Sequence, residues 1–79
     1  MSTNRTRFRI TFRLERADGF HQTATRLAET LWLAVSEINN LLDQGAEIIN
    51  VSKEHWINKE LDQQEKDTIK MLTHDRVKL

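Results

Sequence analysis

The chain has 79 residues, which is room for one small domain, so residues 1–79 are predicted to fold as a single unit. It contains no Cys, which excludes disulfide bonds and thiolate metal sites. Lys and Arg together number 12, as do Asp and Glu, but residues 1–26 carry a net charge of +4 and the remainder −4. This polarity predicts a basic surface on one element and an acidic surface elsewhere.

Neither end of the chain shows a periodic pattern, so residues 1–6 and 75–79 are predicted to be loose tails. No apolar run follows the basic N-terminal residues, and no run of about 18 apolar residues occurs, so neither a secretory signal nor a membrane-spanning helix is expected. With the lack of Cys, this predicts a soluble cytoplasmic protein.

Strict alternation of apolar and polar side chains marks the first element, residues 7–15. A period of two with aromatic and β-branched residues predicts a strand with one face on the core and one in water. The core face would hold Phe8, Ile10, Phe12 and Leu14, and the open face Arg7, Arg9, Thr11, Arg13 and Glu15.

The dipeptide Asp18-Gly19 follows this strand and predicts a hairpin, because Gly tolerates the positive φ that such turns require. A short second strand would then run from Phe20 to Thr23 or Thr25, where a Thr hydroxyl caps the following helix. In the alternative, the helix begins near Phe20 and no second strand forms.

A long amphipathic helix is predicted from Thr25 to Gln44, ending at Gly45. Its apolar residues fall on one stripe about 140° wide, which must be buried. The stripe consists of Ala24, Leu27, Ala28, Leu31, Ala34, Val35, Ile38, Leu41 and Leu42.

The short β-branched stretch 46–52 predicts a third strand, with Ile49 and Val51 on one face. Ile48 would be on the other face, where it either meets a neighbour or lies exposed. A C-terminal helix would start at Asn58 or Asp62 and end near His74. Asp62 and Glu65 have capping-box spacing.

The segment between this strand and the C-terminal helix contains Trp56 and Ile57, which are expected to tether the helix to the body. The predicted fold is therefore α+β, in the order ββαβα, with the central helix covering one face of the sheet.

The arginines of the first strand and its approach are the most distinctive surface feature. Alternate residues of a strand lie about 6.6 Å apart, which is close to the phosphate spacing of a nucleic-acid strand. A nucleic-acid-binding domain is thus one hypothesis, and a solvated or protein-facing sheet surface is the alternative. The residues concerned are Arg5, Arg7, Arg9 and Arg13.

Two large apolar side chains lie off the stripe of the predicted helix. Leu33 is about 160° from the stripe centre and Trp32 about 100°. Since aromatic anchors dominate interfaces, this side is predicted to contact a partner, with ordinary exposure or packing of the C-terminal helix as the alternatives. The predicted partner-binding residues are Trp32, Leu33, Glu37 and Ile48.

The sequence carries no pattern that specifies catalysis. His21, His55 and His74 lie on three different elements without ligand spacing, so no metal site and no cofactor are expected. There is no nucleophile with a nearby base and no glycine-rich phosphate loop, so the protein is predicted not to be an enzyme and to have no small-molecule substrate.

In the order of its elements, the stretch from Phe8 to Val51 resembles small ββαβ proteins encoded by phages and plasmids, among them anti-CRISPR proteins. This resemblance implies a protein that inhibits a host system by docking on a larger macromolecule. The function hypothesis is a non-enzymatic intracellular interaction module that binds a partner protein or associates with itself. A homo-oligomer is expected, because a chain this short gains stability from burial against a partner.

Overall fold

The computed structural model describes residues 7–54, 58–77 and 79, and in these ranges the chain forms four strands and two helices. The elements are β1 (Arg7–Glu15), β2 (His21–Ala28), α1 (Leu31–Asp43), β3 (Glu47–Glu54), β4 (Asn58–Glu60) and α2 (Gln63–Leu72). The sheet is antiparallel, with strand order β2-β1-β3-β4. The predicted α+β fold is confirmed, with β4 as an additional strand.

Strand β1 lies in the middle of the sheet and supplies the floor of the core. Phe8, Ile10 and Phe12 are buried, and Leu14 is half-buried against them. Arg7 and Arg13 on the other face are exposed. The alternation of the sequence therefore places the apolar side chains on the core face as predicted.

The predicted hairpin between β1 and β2 is confirmed, and the alternative without a second strand is wrong. The Arg16 N–H donates to the Phe20 carbonyl at 2.7 Å, and the Gly19 N–H donates to the Arg16 carbonyl at 2.9 Å. Gly19 has φ of +88°, a left-handed conformation that closes three-residue hairpin loops. The Asp18 carboxylate accepts from the Phe20 N–H at 3.1 Å.

The predicted helix start at Thr25 is wrong, because residues 25–28 belong to β2. Their backbone continues the ladder with β1 as far as the pair of Phe8 with Ala28. The helix begins only at Leu31, where Thr30 acts as N-cap and its hydroxyl accepts from the Leu33 N–H at 3.1 Å. Ala28 still reaches the core, as a strand residue.

Helix α1 covers the core face of the sheet with Ala34, Val35, Ile38 and Leu41, all buried. Its end is a Schellman motif: the Ala46 N–H donates to the Leu41 carbonyl at 2.9 Å, and the Gly45 N–H to the Leu42 carbonyl at 3.0 Å. The motif requires a left-handed residue, and Gly45 has φ of +88°.

Strand β3 contains a bulge that the sequence did not reveal. Thr11 of β1 pairs with Asn50, but Phe12 pairs with Ile48, so Ile49 is the extra residue. The bulge switches the side-chain alternation, and both Val51 and Ile48 therefore face the core.

Helix α2 lies in the same layer as α1. Lys53 pairs with Phe8 on the core face of the sheet, and its ammonium group is 3.1 Å from a carboxylate oxygen of Glu65 in the first turn of α2. Asn39 of α1 donates to the Leu72 carbonyl at the end of α2, at 3.3 Å. The buried side chain of Ile69 completes this part of the core.

The predicted loose tail at 75–79 is corrected, because Arg76, Val77 and Leu79 contact the rest of the domain. Val77 is only 3% exposed and Leu79 packs against the core. The Arg76 guanidinium donates to Asn39 at 2.7 Å and to Asp43 at 3.1 Å, both on α1.

Trp56, Ile57 and the predicted tail 1–6 lie outside the described residues. No helix in the described ranges is long and apolar enough to span a membrane.

The predicted capping box at the start of α2 is confirmed and offers a stability test. The Asp62 carboxylate accepts from the Glu65 N–H at 2.8 Å, and Glu65 accepts from the Asp62 N–H at 2.9 Å. Asp62→Ala is expected to lower the free energy of unfolding by about 1 kcal/mol, measured by chemical denaturation. Gln64→Ala, at an exposed position in the first turn of the helix, is the control and should change it by less than about 0.5 kcal/mol.

Candidate interaction surfaces

The arginines of β1 project from the open face of the sheet, where carboxylates of β3 meet them. The Arg7 and Arg9 guanidinium groups lie 3.9 and 3.7 Å from the Glu54 carboxylate. Arg13 is hydrogen-bonded to Glu47. Arg5 lies outside the described residues.

These ion pairs lower the capacity of the arginine row to bind phosphates. Each pair is at least partly exposed and contributes little to stability, but a nucleic-acid backbone would have to displace the carboxylates of Glu47 and Glu54 from the guanidinium groups. The open face also carries Glu15 and, from β4, Glu60. The nucleic-acid hypothesis stays a prediction, and the charge of this face gives it little support.

Trp32 and Leu33 lie in the first turn of α1 and are 68% and 53% exposed, so the exposure expected from the helical pattern is confirmed. They point to different sides. Trp32 precedes Asn39 by two turns and shares with it the side that contacts α2. Leu33 precedes Glu37 by one turn and shares the side that faces β2. The partner-binding role of both residues stays a prediction.

Glu37 of α1 pairs with Arg26 of β2. Its carboxylate accepts from the Arg26 guanidinium at 2.7 Å, and the same guanidinium lies 6.0 Å from the centroid of the Phe12 ring. Glu37, a predicted partner-binding residue, is therefore already paired within the chain, next to the outer edge of the sheet.

Ile48 is not on the face that the sequence predicted. Because of the bulge it lies opposite Phe12 and is half-buried against the core. Ile49 takes the outward position and is 50% exposed. An apolar contact from this part of β3 would thus be made by Ile49.

The outer edge of β2 is a surface that sequence reasoning missed. Six of its eight residues are exposed, and among the described residues no strand pairs with its outer side. Arg16 and Phe20 form a hydrogen-bonded pair at the turn, and such pairs alternate along an antiparallel ladder. His21, Thr23, Thr25 and Leu27 therefore direct their N–H and C=O groups away from β1.

A small cavity of about 200 Å³ opens beside this edge, between β2 and the C-terminal end of α1. It is lined by Phe12, Leu14, Gln22, Ala24, Arg26, Leu41 and Gln44. The short side chain of Ala24 leaves this part of the core face thinly covered. We call the outer side of β2 together with Leu33 the β2 edge surface.

A larger cavity of about 480 Å³ lies at the opposite side of the sheet, beside β3. Its lining consists of Arg9, Thr11, Ile49, Asn50, Val51, Ser52, Lys59, Glu60, Leu61, Lys66 and Leu79. We call it the β3 groove. Its strand residues come from both faces of the sheet, and Leu61, Lys66 and Leu79 complete the lining from outside the sheet.

The two histidines within the described residues lie on different parts of the fold. His21 begins β2 and His74 follows α2, both exposed, and His55 lies outside the described residues. Over the part of the chain that the structure describes, no group of three His, Asp or Glu residues is placed to hold a metal ion.

No protein-family model matches the chain, and comparison with curated proteins and with solved structures finds no match. The resemblance to phage and plasmid inhibitors of host defence therefore stays a prediction.

Proposed function

We propose that this chain is a non-enzymatic interaction module that self-associates through the β2 edge surface. The observation that supports this most is the eight-residue outer strand itself, which is exposed on both faces and pairs in unbroken register with β1. Monomeric proteins protect such edges with Pro, charged side chains, bulges or very short strands. β2 has no Pro, no Lys and no bulge, and its one Arg, Arg26, is paired with Glu37.

A second copy fits this edge in a two-fold antiparallel arrangement centred on Ala24. In that register Thr23 lies opposite Thr25 of the second copy, and His21 lies opposite Leu27. Every outward-facing N–H and C=O of these four residues then finds a partner. On the core face Ala24 meets Ala24, and Arg26 meets Gln22, so no like charges face each other and no bulky side chains collide.

The apolar side chains next to the edge also favour a second copy as its occupant. Leu33 lies on the side of α1 that faces β2, and Leu27 is exposed on the open face. The two-fold axis places the start of α1 of one copy beside the cavity at the end of α1 of the other. Association would therefore cover both Leu33 and the small cavity beside Ala24.

Sedimentation velocity from low to high micromolar concentration tests the proposal. We expect the weight-average mass to rise from that of a monomer of 9.3 kDa toward a dimer. Amide hydrogen exchange provides the residue-level readout: protection of Thr23 and Thr25 should increase with concentration. The amides of Gln22 and Ala24 point toward β1 and serve as internal controls, because they are protected in the monomer as well.

A strict monomer at high micromolar concentration, with exchange at Thr23 and Thr25 independent of concentration, would contradict self-association. A gel-mobility measurement with DNA and RNA at about 50 mM salt is the companion experiment. We expect unchanged mobility with micromolar protein, since Glu47 and Glu54 occupy the guanidinium groups of the open face.

Docking on a larger protein is the second part of this proposal and would use a different surface. Trp32 is on the flank of α1 away from Leu33, so a dimer through β2 leaves it exposed. A large aromatic side chain of this kind is a typical anchor for a partner protein. Trp32→Ala is expected to leave the weight-average mass in sedimentation unchanged. The same variant should no longer bind a protein partner that uses Trp32 as its anchor.

A further inference from the structure

The β3 groove has a polar floor on the open face of the sheet. Arg9 pairs with Ser52, and Thr11 pairs with Asn50, so these four side chains lie in two neighbouring rows on that face. Neighbouring strands are about 5 Å apart and alternate residues of a strand about 6.6 Å. The floor therefore has about the dimensions of a sugar ring. All four residues line the cavity of about 480 Å³.

The walls of the groove carry more positive than negative charge. Over the described part of the chain, β4 ends at Glu60 and contributes no paired residue beside Asn50. The walls include the exposed side chains of Ile49 and Lys59, and Lys66 from α2. Together with the arginine of the floor, the charged side chains of the lining are three cations and the carboxylate of Glu60. This balance favours an anionic ligand.

The Arg9 guanidinium has unused hydrogen-bonding capacity. Its Nε atom is buried and has no hydrogen-bond partner among the described residues. A carboxylate oxygen of Glu54 lies 3.7 Å from Nε, which is outside hydrogen-bond distance. Arg13, in contrast, is hydrogen-bonded to Glu47. Because the Arg9 side chain as a whole is 41% exposed, an anion from solution can reach it.

The other side chains of the floor are also available to a ligand. Among the described residues, Thr11, Asn50 and Ser52 have no hydrogen bond from their side chains to another residue. Their two hydroxyl groups and one amide group can each donate and accept. Such a set matches the hydroxyl groups of a sugar or a similar polyol.

We propose that the β3 groove binds a phosphate monoester of a small, hydroxyl-rich molecule. The phosphate would bind at Arg9, because a guanidinium group bonds phosphate oxygens through parallel N–H donors and the Nε proton belongs to that fork. The hydroxyl groups would lie on Thr11, Asn50 and Ser52, and Lys59 would add positive charge at the wall. The cavity volume lies within the range of small-molecule sites, about 300–1,000 Å³.

Titration calorimetry with three probes tests this proposal. The probes are glucose 6-phosphate, inorganic phosphate and glucose. We expect glucose 6-phosphate to bind about tenfold or more tightly than either of the others, because it alone engages both the guanidinium and the polar floor. Amide chemical-shift changes with this probe should centre on Thr11, Asn50 and Ser52.

Two arginines of the same strand and face provide a variant with a matched control. Arg9→Gln should weaken binding of glucose 6-phosphate by about tenfold or more. Arg7→Gln removes the same charge outside the groove lining and should retain most of the affinity. Circular dichroism shows whether each variant is folded. Should Arg9→Gln not fold, Lys59→Gln at the exposed wall is the second variant, with an expected loss of about threefold.

Three results would overturn the proposal. Equal binding of inorganic phosphate would exclude recognition of the hydroxyl groups, and equal binding of glucose would exclude the phosphate. Equal affinity of folded Arg9→Gln and Arg7→Gln would exclude Arg9 as the anchor. Shift changes centred on Thr23 and Thr25 would place the ligand at the β2 edge instead.

The proposed ligand site does not depend on self-association. The β3 groove and the β2 edge lie at opposite sides of the sheet. A variant that is monomeric because β2 is blocked should therefore bind glucose 6-phosphate with unchanged affinity, so the two proposals fail separately.

Discussion

Replacing Ile38 with Ala is expected to lower the free energy of unfolding by about 2–5 kcal/mol. Ile38 lies in the middle of α1, is 0% exposed, and packs within the core cluster between helix and sheet. Its neighbours are close-packed and relax only partly, so the missing methyl groups leave a cavity. A domain of this size has a total stability of about 4–12 kcal/mol, and the loss is therefore a substantial fraction of it.

Urea denaturation at one fixed protein concentration measures this effect. Met71→Ala is the matched control, because it also removes a large apolar side chain from a helix but at an exposed position. It should change the free energy of unfolding by less than about 0.5 kcal/mol. If the two variants lost equal stability, Ile38 would not be a buried contact between α1 and the core face of the sheet.

The features that the sequence predicted correctly depend on residues close together in the chain. The hairpin needs Asp18 and Gly19, and the start of α2 needs Asp62 and Glu65. In each case the bonded atoms belong to residues at most four positions apart. Gly45 likewise ends α1 through bonds to the last helical turn. Local chemistry is sufficient for such features, because no distant segment has to be known.

The start of α1 could not be placed in the same way. Ala24, Leu27, Ala28 and Leu31 have helical spacing, but Ala24, Arg26 and Ala28 also alternate as a strand would. Pairing with β1 decides between helix and strand for residues 25–28, because β1 is long enough to pair with β2 as far as Phe8. A distant partner thus overrides the local periodicity, and residues 25–28 extend the outer strand.

The bulge at Ile49 has the same origin. Nothing within residues 46–52 marks one residue as extra, and the shift becomes visible only against Thr11 and Phe12 of β1. The predicted surface role of Ile48 depended on unbroken alternation, and the structure places this side chain partly in the core.

For the candidate surfaces, the sequence predicted which helix residues are exposed but not which strands are neighbours. Exposure of Trp32 and Leu33 follows from helical geometry and is confirmed. The carboxylates of Glu47 and Glu54 come to the arginine row only because β3 is the neighbour of β1. The β2 edge surface and the β3 groove also depend on strand order, which local patterns do not specify.

Thr25→Pro is expected to abolish self-association while leaving the monomer folded. The Thr25 N–H points away from β1, so Pro removes no hydrogen bond of the existing ladder, and edge strands tolerate Pro in this orientation. In the proposed two-fold dimer the same change removes one donor from each copy and places each Pro ring against the other copy. Leaving two buried carbonyls unpaired costs about 2–6 kcal/mol in total, which corresponds to dimerisation weaker by about thirtyfold or more.

Sedimentation velocity of the Thr25→Pro variant at the highest concentration at which the wild type dimerises is the decisive measurement. Thr25→Val keeps the N–H and a β-branched side chain, so it should dimerise like the wild type. Should Thr25→Pro lose its circular dichroism signal, Leu33→Glu provides the test, because it leaves β2 intact and puts a charge where the second copy would cover Leu33. Folded variants of both kinds that still dimerise would exclude the β2 edge as the contact.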